Sequence, residues 1–312
     1  MTNTRRSLTL LTIFFFACSF ARAAERWSST NGPFTGFVYA QAIDQQGNLY
    51  ACTGGHGVFV ADRSTRCSWQ ERNAGLSTHA IYAIAVDVTG TVFVGTDDGI
   101  FSSTNGGEYW TRVSDGLSNT IVSALAVSPS GMMFAGTLGG GIFRSENKGI
   151  HWTHVGDGLN ADQILSLTID SRGSVYAGTD GAGVFRSSDN GTSWTRMNHG
   201  LSNMAIISLA VDAYGTLFAG TRGNGAFRSS TQASLWSEAN NGIGSASVYA
   251  LATSANGVLY AGTDKGAFAS SNGGKAWFPI GVDLPNQVVL SLAVDASMLL
   301  AGTGGSGVFR LQ

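Results

Sequence analysis

The amino-acid sequence predicts an all-β protein, a seven-bladed β-propeller in which each blade is a four-stranded sheet. Two regularities indicate this fold. Seven tryptophans follow one another at intervals of 41 or 42 residues, at Trp27, Trp69, Trp110, Trp152, Trp194, Trp236 and Trp277. Strand ends of the type Ala-Gly-Thr recur in step, at Thr53, Thr96, Thr137, Thr179, Thr221, Thr263 and Thr303. A period of about 40 to 50 residues with short alternating strands is typical of propeller blades, and 43 glycines argue against helical repeats.

The unit from residue 119 to 155 shows the four strands expected of one blade. The innermost strand is VSALAV at 122–127, and a Ser-Pro-Ser-Gly turn leads to a second strand that ends in Gly-Thr. A glycine-rich loop then leads to a third strand, GIFRS, and a polar turn leads to the outer strand at Trp152. Along the innermost strand, large side chains alternate with Ala or Ser. We therefore expect both faces of each blade to pack against neighbouring blades.

The ends of the chain predict how the ring closes. The last repeat stops at residues 309–312, after its third strand, and the segment Arg26-Trp27-Ser28 has the form of a fourth strand without its first three. Pairing these ends would complete the seventh blade and remove the open sheet edges that favour aggregation. The sequence thus predicts a ring closed by an N-terminal strand that completes the last blade.

The N-terminal residues differ from the repeats. Arg5 and Arg6 precede an apolar run at 8–20, and the tripeptide Ala-Arg-Ala at 21–23 has the small-x-small form of a signal-peptidase site. The run is shorter than the about 20 residues of a transmembrane helix. We expect a cleaved secretory signal at 1–23, a propeller at 24–312 and a secreted or periplasmic protein. A twin-arginine signal and lipid anchoring at Cys18 are alternatives.

Two cysteines, Cys52 and Cys67, remain after removal of the predicted signal. An oxidising compartment would permit a disulfide between them. Cys52 stands on a strand where other repeats carry glycine, however, whereas Cys67 lies in the far turn, and this separation argues against pairing. The sequence leaves the state of the two thiols open.

The turn between the third and fourth strands has a recurring form, Ser-x-Asx-x-Gly-x-x-Trp. Four copies fit it: Ser103, Asn105, Gly107 and Trp110; Ser145, Asn147, Gly149 and Trp152; Ser187, Asp189, Gly191 and Trp194; Ser270, Asn272, Gly274 and Trp277. Two further copies are degraded, at Ser229-Thr231-Ala233-Trp236 and Ala61-Ser64-Trp69. In such a turn the Asx side chain accepts backbone hydrogen bonds, glycine takes positive φ and tryptophan is buried.

This turn resembles the Asp-box, or BNR repeat, and the resemblance covers residues 26–312. Proteins that share the Asp-box include sialidases, sortilin-like receptors, xyloglucan-cleaving hydrolases and the photosystem II assembly factor. The resemblance implies a propeller fold and a structural role for the turns on the outer rim. It does not imply one particular activity.

Catalysis is poorly supported by the residues. A sialidase would need an Arg-Ile-Pro tripeptide, which is absent, and an arginine triad, whereas the arginines here occupy one equivalent strand position: Arg144, Arg186, Arg228 and Arg310. Glycoside hydrolysis needs two carboxylates across a cleft, but no loop is enlarged to build one. The histidines are scattered among the repeats. No cofactor or metal site is therefore expected.

The loops between second and third strands are the best candidates for binding, because their remaining positions vary while the frame repeats. The candidate residues are His56, Asp97, Asp98, Asp180, Arg222, Asn224, Asp264 and Lys265. Turns between blades place further polar residues on the same expected face, where ordinary turn chemistry also explains them: Asn31, Asp115, Asp157, His199, Asn241 and Asp283. Ordinary variation of solvated loops is the alternative explanation for the candidate residues.

Three tyrosines share one position near the start of the innermost strand: Tyr39, Tyr82 and Tyr249. They could stack on a sugar at the mouth of the channel. Leu165 and Leu290 at the same position favour a packing role instead.

We therefore predict an exported, monomeric, non-catalytic module that binds another protein, in the manner of an assembly factor, through the loop face around the channel. The alternative is a glycan-binding protein or a minimal glycoside hydrolase. A net charge of -2 and the absence of basic runs argue against nucleic acid as a partner.

Overall fold

The computed structural model describes residues 25–33, 36–62, 68–229, 235–284 and 288–312. Every strand in these ranges belongs to one of seven four-stranded antiparallel sheets, which form a propeller ring, and the same ranges contain no helix. The predicted fold class is confirmed. Because no helix is present there, none of these ranges supplies a helical segment that could cross a membrane.

Blades 1 to 3 follow one another along the chain. Blade 1 consists of β2 (Val38–Ile43), β3 (Asn48–Thr53), β4 (Gly57–Asp62) and β5 (Trp69–Glu71). Blade 2 consists of β6 (Ile81–Val86), β7 (Val92–Thr96), β8 (Gly99–Ser103) and β9 (Thr111–Arg112). Blade 3 consists of β10 (Val122–Val127), β11 (Met133–Thr137), β12 (Ile142–Ser145) and β13 (Thr153–His154). In each blade the first strand is innermost and the fourth is outermost.

Blades 4 to 6 repeat this order. Blade 4 consists of β14 (Ile164–Ile169), β15 (Val175–Thr179), β16 (Val184–Ser187) and β17 (Thr195–Arg196). Blade 5 consists of β18 (Ile206–Val211), β19 (Leu217–Thr221), β20 (Ala226–Ser229) and β21 (Trp236–Glu238). Blade 6 consists of β22 (Val248–Thr253), β23 (Leu259–Thr263), β24 (Gly266–Ser270) and β25 (Phe278–Pro279).

Blade 7 joins the two ends of the described chain. It consists of β26 (Val289–Val294), β27 (Leu299–Thr303), β28 (Val308–Leu311) and β1 (Trp27–Ser29). β1 pairs antiparallel with β28, with Trp27 opposite Leu311 and Ser29 opposite Phe309. The predicted closure by an N-terminal fourth strand is confirmed.

Several sequence-based expectations fall outside the described residues. These are the signal at 1–23, the lipidation alternative at Cys18, one partner of the disulfide, Cys67, and three positions of the degraded turns, Ser64, Thr231 and Ala233. Cys52 itself is a free thiol buried in β3, and this burial raises the pKa of the thiol well above its usual range. Cys52 is therefore a packing residue of blade 1.

The core is divided among the junctions between blades. Seven clusters of buried side chains occur in the described ranges, and each takes residues from two adjacent blades. Between blades 2 and 3, for example, Phe93 and Ile100 pack with Val122, Met133 and Trp152. Burying each large apolar side chain contributes about 1.5 to 3 kcal/mol. Since both faces of every blade are used in this way, the ring must be complete for the core to be complete.

The glycine of the Gly-Thr strand end permits the closest approach between blades. A Cβ atom built on Gly136 of blade 3 would lie 2.5 Å from Cγ2 of Ile164, the first residue of the inner strand of blade 4. Equivalent glycines meet the first inner-strand residue of the next blade at Gly95, Gly178, Gly220, Gly262 and Gly302. The glycine of the Gly-Thr repeat is therefore explained by inter-blade packing. Blade 1 is the exception, because Cys52 packs there beside Ile81.

The tryptophans connect each blade to the one before it. The indole N–H of Trp110 donates to the carbonyl of Arg72 at 2.8 Å, and that of Trp152 donates to the carbonyl of Val113 at 2.8 Å. The indoles of blades 4, 5 and 6 donate to a carbonyl of the preceding blade in the same way, and Trp27 of blade 7 donates to the Ile280 carbonyl at the end of blade 6. Trp69 of blade 1 donates instead to the hydroxyl of Thr30 at 3.0 Å. Each tryptophan thus combines buried apolar surface with a satisfied donor, as buried indoles require.

The Ser-Asx-Gly turns hold the tryptophans in place. In the copy of blade 4, Ser187 Oγ donates to Asp189 Oδ1 at 2.7 Å, and the Gly191 N–H donates to Ser187 Oγ at 2.7 Å. The N–H of Ser193 donates to Asp189 Oδ1 at 2.9 Å, and φ of Gly191 is 87°. The copies in blades 2, 3 and 6 make the same set of bonds. In blade 5, Ser229 Oγ donates instead to the carbonyl of Leu235.

Substitution Gly136→Ala tests the close approach between blades. Its methyl group would overlap Ile164 where both blades are well packed, so we expect a loss of about 1 to 3 kcal/mol in the free energy of unfolding. Thermal unfolding followed by circular dichroism measures it. The control Cys52→Ala keeps a Cβ atom at the equivalent place in blade 1 and is expected to cost less. Equal stability of Gly136→Ala and the wild type would contradict this packing argument.

The pH dependence of the Asp189 turn gives a second prediction. Hydrogen bonds from Ser193 and then from Ser187 lower the pKa of the Asp189 carboxyl from 3.8 to about 2. Because the folded pKa is depressed, the turn's stabilisation is present above pH 3.8 and is lost as the pH falls through about 2. A carboxyl NMR titration should place this group near 2. Asp189→Asn, which adopts the residue of the other three turns, should lack that part of the acid sensitivity; an ordinary pKa at Asp189 would contradict the prediction.

Candidate binding face at the channel mouth

Every innermost strand carries a β-bulge near its start. In blade 2, for example, Ile81 pairs with Thr96 and Ala83 with Gly95, so Tyr82 is the extra residue. The seven extra residues, which we call the collar, are Tyr39, Tyr82, Ser123, Leu165, Ile207, Tyr249 and Leu290. All are half-buried or exposed, and the innermost strands that carry them lie side by side around the centre of the ring. Because bulges re-aim side chains out of the ladder, the collar surrounds one mouth of the channel.

Three neighbouring aromatic rings distinguish the side of the collar formed by blades 1 and 2. The rings of Phe37 and Tyr39 are stacked, with centroids 5.9 Å apart and an interplanar angle of 14°. The ring of Tyr82 follows at 6.0 Å from that of Tyr39, tilted by 35°. Phe37 is 50% exposed and Tyr39 is 39% exposed. We call Phe37, Tyr39 and Tyr82 the aromatic sector.

Gly54 makes room for the central ring of this sector. A Cβ atom on Gly54 would overlap Cε2 of Tyr39, so only glycine allows the ring to lie against the loop backbone. Blades 3, 4 and 5 carry Leu138, Asp180 and Arg222 at the equivalent loop position. The absence of a side chain at Gly54 therefore leaves the space in which the ring of Tyr39 lies.

Asp97 adds a negative charge next to the aromatic sector. It follows Thr96, which pairs with Ile81, the residue before the bulged Tyr82. The side chain of Asp97 is exposed. Burial raises the pKa of the Tyr82 hydroxyl, and the Asp97 carboxylate and Tyr39 add to the effect. Tyr82 is therefore a hydroxyl donor at neutral pH. Within the described ranges, the carboxylate of Asp97 accepts no hydrogen bond from another side chain and forms no ion pair.

Four of the predicted loop residues are held by their own surroundings. Asp98 Oδ2 accepts from Ser77 Oγ at 2.6 Å, and Asp98 Oδ1 lies 3.4 Å from Arg112 Nη2. Asn224 Nδ2 donates to Ser202 Oγ at 2.8 Å, and Asp264 Oδ1 accepts from the N–H of Ser247 at 3.1 Å. The side chain of Arg222 lies 3.6 Å from Asp180 of the preceding blade. These contacts order the loops of the face.

The remaining candidates lie at separate points of the ring. The imidazole of His56 approaches Gly36, next to Phe37, since a Cβ on Gly36 would lie 3.2 Å from His56 Nδ1. Asp180 lines a depression of about 430 Å³ between its own loop in blade 4 and the segment 160–163 that leads into that blade. Lys265 lines a smaller one of about 180 Å³ near Trp27. The structure thus brings His56 and Asp97 toward the aromatic sector and Asp180 toward Arg222.

The polar turns between blades make contacts at the outer strands. The carbonyls of Asp115, His199 and Asn241 accept the backbone N–H of the tryptophan in the next blade at 2.7 to 2.8 Å. Asp115 Oδ2 also lies 2.8 Å from His151 Nδ1, and Asp283 lies 3.6 Å from Arg26. These residues therefore join neighbouring blades.

Two larger cavities lie on the opposite side of the ring, where the first and second strands are joined. One, of about 590 Å³, is lined by residues including Gln41, Asp44, Ile84 and Asp295; the other, of about 610 Å³, lies beside Tyr260 and Gln312. Their acidic residues are engaged in turns, since Asp44 accepts from Asn48 and Tyr50 and Asp295 accepts from the N–H of Ser297. Cavity size alone therefore favours a binding site on that side of the ring. The exposed aromatic rings favour a binding site at the channel mouth with the collar.

No group of three or more His, Cys, Asp or Glu side chains within the described ranges is arranged to hold a metal ion. The sequence identified five of the seven collar positions, the three tyrosines with Leu165 and Leu290, but missed Ser123 and Ile207, and it also missed Phe37 beside the collar. The bulge that exposes these positions depends on strand register, which the alternation of large and small residues does not show.

Comparisons with known proteins agree on the fold. No protein-family model matches the sequence, and no curated protein matches it. Among solved structures, the extracellular domain of the one-component system BT4673 from B. thetaiotaomicron is similar with a TM-score of 0.75 and 21% identity, over 89% of this chain and 38% of that chain. The GH74 xyloglucanase from Xanthomonas campestris is similar with a TM-score of 0.76 and 19% identity, over 92% and 53%.

Virginiamycin B lyase from Staphylococcus aureus is also similar, with a TM-score of 0.77 and 12% identity, over 92% of this chain and 98% of that chain. The chain thus spans well under two thirds of the first two structures and nearly all of the lyase. At these identities the likeness shows the β-propeller fold alone.

Asp97 and Asp98 form a matched pair for a stability test. Asp98→Ala removes bonds to Ser77 and Arg112 at a partly exposed site, so we expect a loss of about 1 kcal/mol in the free energy of unfolding. Asp97→Ala should change it by less than about 0.5 kcal/mol. Urea unfolding of both variants measures the difference. A larger loss for Asp97→Ala than for Asp98→Ala would show that the contacts are assigned to the wrong carboxylate.

Proposed function

We propose that this chain is an exported, non-catalytic binding module that holds its ligand at the channel mouth with the collar. The main support for the proposal is that some positions of each repeat hold the fold together while others are accessible on one face. The glycines of the Gly-Thr strand ends and the tryptophans make contacts between blades, and the Ser-Asx-Gly turns are held by hydrogen bonds within each turn. The bulged collar and the variable loops are left accessible on one face.

The side chains of that face support binding more than catalysis. Asp98 and Asp264 accept hydrogen bonds from Ser77 and Ser247 in the segments between blades, and Asp180 lies beside Arg222. A hydrolase would instead need two carboxylates facing each other across a cleft that excludes water. The exposed aromatic rings of the sector are surfaces of the kind that anchor ligands and partners.

Export is part of the proposal. It is supported by the basic, apolar and small-x-small pattern of residues 1–23. One of the structurally similar proteins is itself an extracellular domain. Membership of the Asp-box superfamily belongs to the proposal as well, supported by four turns that share one hydrogen-bond pattern.

The proposal is tested by altering each face of the ring in turn. A double lysine variant with Asp97→Lys and Asp180→Lys changes the channel-mouth face. Tyr214→Ala changes an aromatic residue that is 83% exposed on the opposite face, in the turn between the first and second strands of blade 5. We expect binding of the wild type to a glycan array, or to one partner cross-linked in the native cell envelope, to fall at least about tenfold in the first variant and to persist in the second.

Two results would contradict this function. Binding that is lost in Tyr214→Ala but retained in the double lysine variant would place the ligand on the opposite face. Release of sugar from sialosides or xyloglucan by the wild-type protein would show a hydrolase instead of a binding module.

A further inference from the structure

The aromatic sector has the chemistry of a ligand subsite, and this inference rests on the binding function proposed above. Its three rings follow one another, with successive centroids 5.9 and 6.0 Å apart, and two of them, Phe37 and Tyr39, are 50% and 39% exposed. Exposed rings in a continuous row are costly in water unless they are covered by a ligand with an apolar face.

The orientation of the rings selects among ligand classes. A cage for an ammonium group needs rings that face one point from different directions. Here the stacked rings of Phe37 and Tyr39 are inclined by only 14°, so their faces are nearly parallel and do not converge on one point; we call this arrangement a platform instead of a cage. A platform suits a flat or puckered ring that stacks face to face, as aromatic side chains do with ring-shaped ligands.

The polar groups at the edge of the platform further limit the class of ligand that would fit. Asp97 offers carboxylate oxygens without a hydrogen-bond partner or ion pair in the described ranges, Tyr82 offers a protonated hydroxyl, and the imidazole of His56 lies on the side of Phe37. Such an edge satisfies a ligand that carries hydroxyl groups around an apolar ring. The charge of Asp97 disfavours ligands that carry a carboxylate or a phosphate.

We infer that Phe37, Tyr39, Tyr82 and Asp97 form a carbohydrate subsite, in which one pyranose ring of a neutral saccharide stacks on Tyr39 and donates hydroxyl hydrogen bonds to Asp97. Gly54 is a positioning residue for this subsite, because it leaves the space in which the ring of Tyr39 lies. A ring that already lies at its binding position needs no rearrangement when the sugar arrives.

The subsite is tested by calorimetry with cellohexaose, maltohexaose and mannohexaose as neutral probes and trigalacturonate as the acidic comparator. We expect at least one neutral hexaose to bind and trigalacturonate to bind more weakly. Tyr39→Ala should lower the affinity for that hexaose about 10- to 100-fold, the effect of losing one stacking contact. Tyr39→Phe should retain most of the affinity, and Asp97→Asn should lower it less than Tyr39→Ala.

Gly54→Ala is the second variant and tests positioning. Its methyl group meets only the far end of the flexible Tyr39 side chain, and φ of Gly54 is not in the left-handed region, so the protein is expected to fold with an unchanged melting temperature. It should nevertheless weaken hexaose binding by displacing the ring. Tyr214→Ala, on the opposite face, is the control that should leave binding unchanged.

The results separate this inference from the proposed function. The subsite is refuted if no neutral hexaose binds, or if Tyr39→Ala and Gly54→Ala both bind as the wild type does. If the double lysine variant then still abolishes binding of another glycan or of a protein partner, the proposed function stands without the subsite. If that variant also has no effect, both fail.

Discussion

The contact between adjacent blades is the constraint on which the rest of the structure depends. Each four-stranded sheet has apolar side chains on both faces, and neither face can be buried within one blade. A glycine in the second strand allows the inner strand of the next blade to approach, and an indole N–H fixes the outer strands by donating to a carbonyl of the preceding blade. Repetition of this contact leaves a closed ring as the arrangement in which no blade has an uncovered face.

The same constraint explains which residues are available for function. Positions that repeat are used in contacts between blades, so their side chains cannot change without loss of packing. The bulge at the start of each inner strand is different, because it repeats as a backbone feature while its residue varies from Tyr to Leu, Ile or Ser. The regular scaffold thereby presents a collar whose side chains differ from blade to blade. Each sector of the channel mouth therefore has its own chemistry.

The junction between blades 7 and 1 shows how the repeated contact between blades can be adapted. Where other inner strands carry Leu or Ile, blade 1 carries Gln41, whose amide nitrogen donates to Ser291 Oγ of blade 7 at 2.9 Å and to the Ser291 carbonyl at 3.2 Å. Ser291 Oγ in turn donates to the carbonyl of Val38 at 2.8 Å. The junction between blades 7 and 1 is thus joined by polar contacts as well as by the apolar cluster of these two blades.

The sequence alone determined the blade number, the four strands of each blade and the closure by Trp27, because the periods of Trp and Gly-Thr are local signals that every blade must satisfy. It also identified the Ser-Asx-Gly turns, whose hydrogen bonds lie within eight residues of one another. Only the tertiary structure decided that Tyr39 and Tyr82 lie beside Phe37 and Asp97. Strand register and the bulge bring together residues that are far apart in sequence, and the alternation that predicts packing does not reveal which side chains a bulge releases from it.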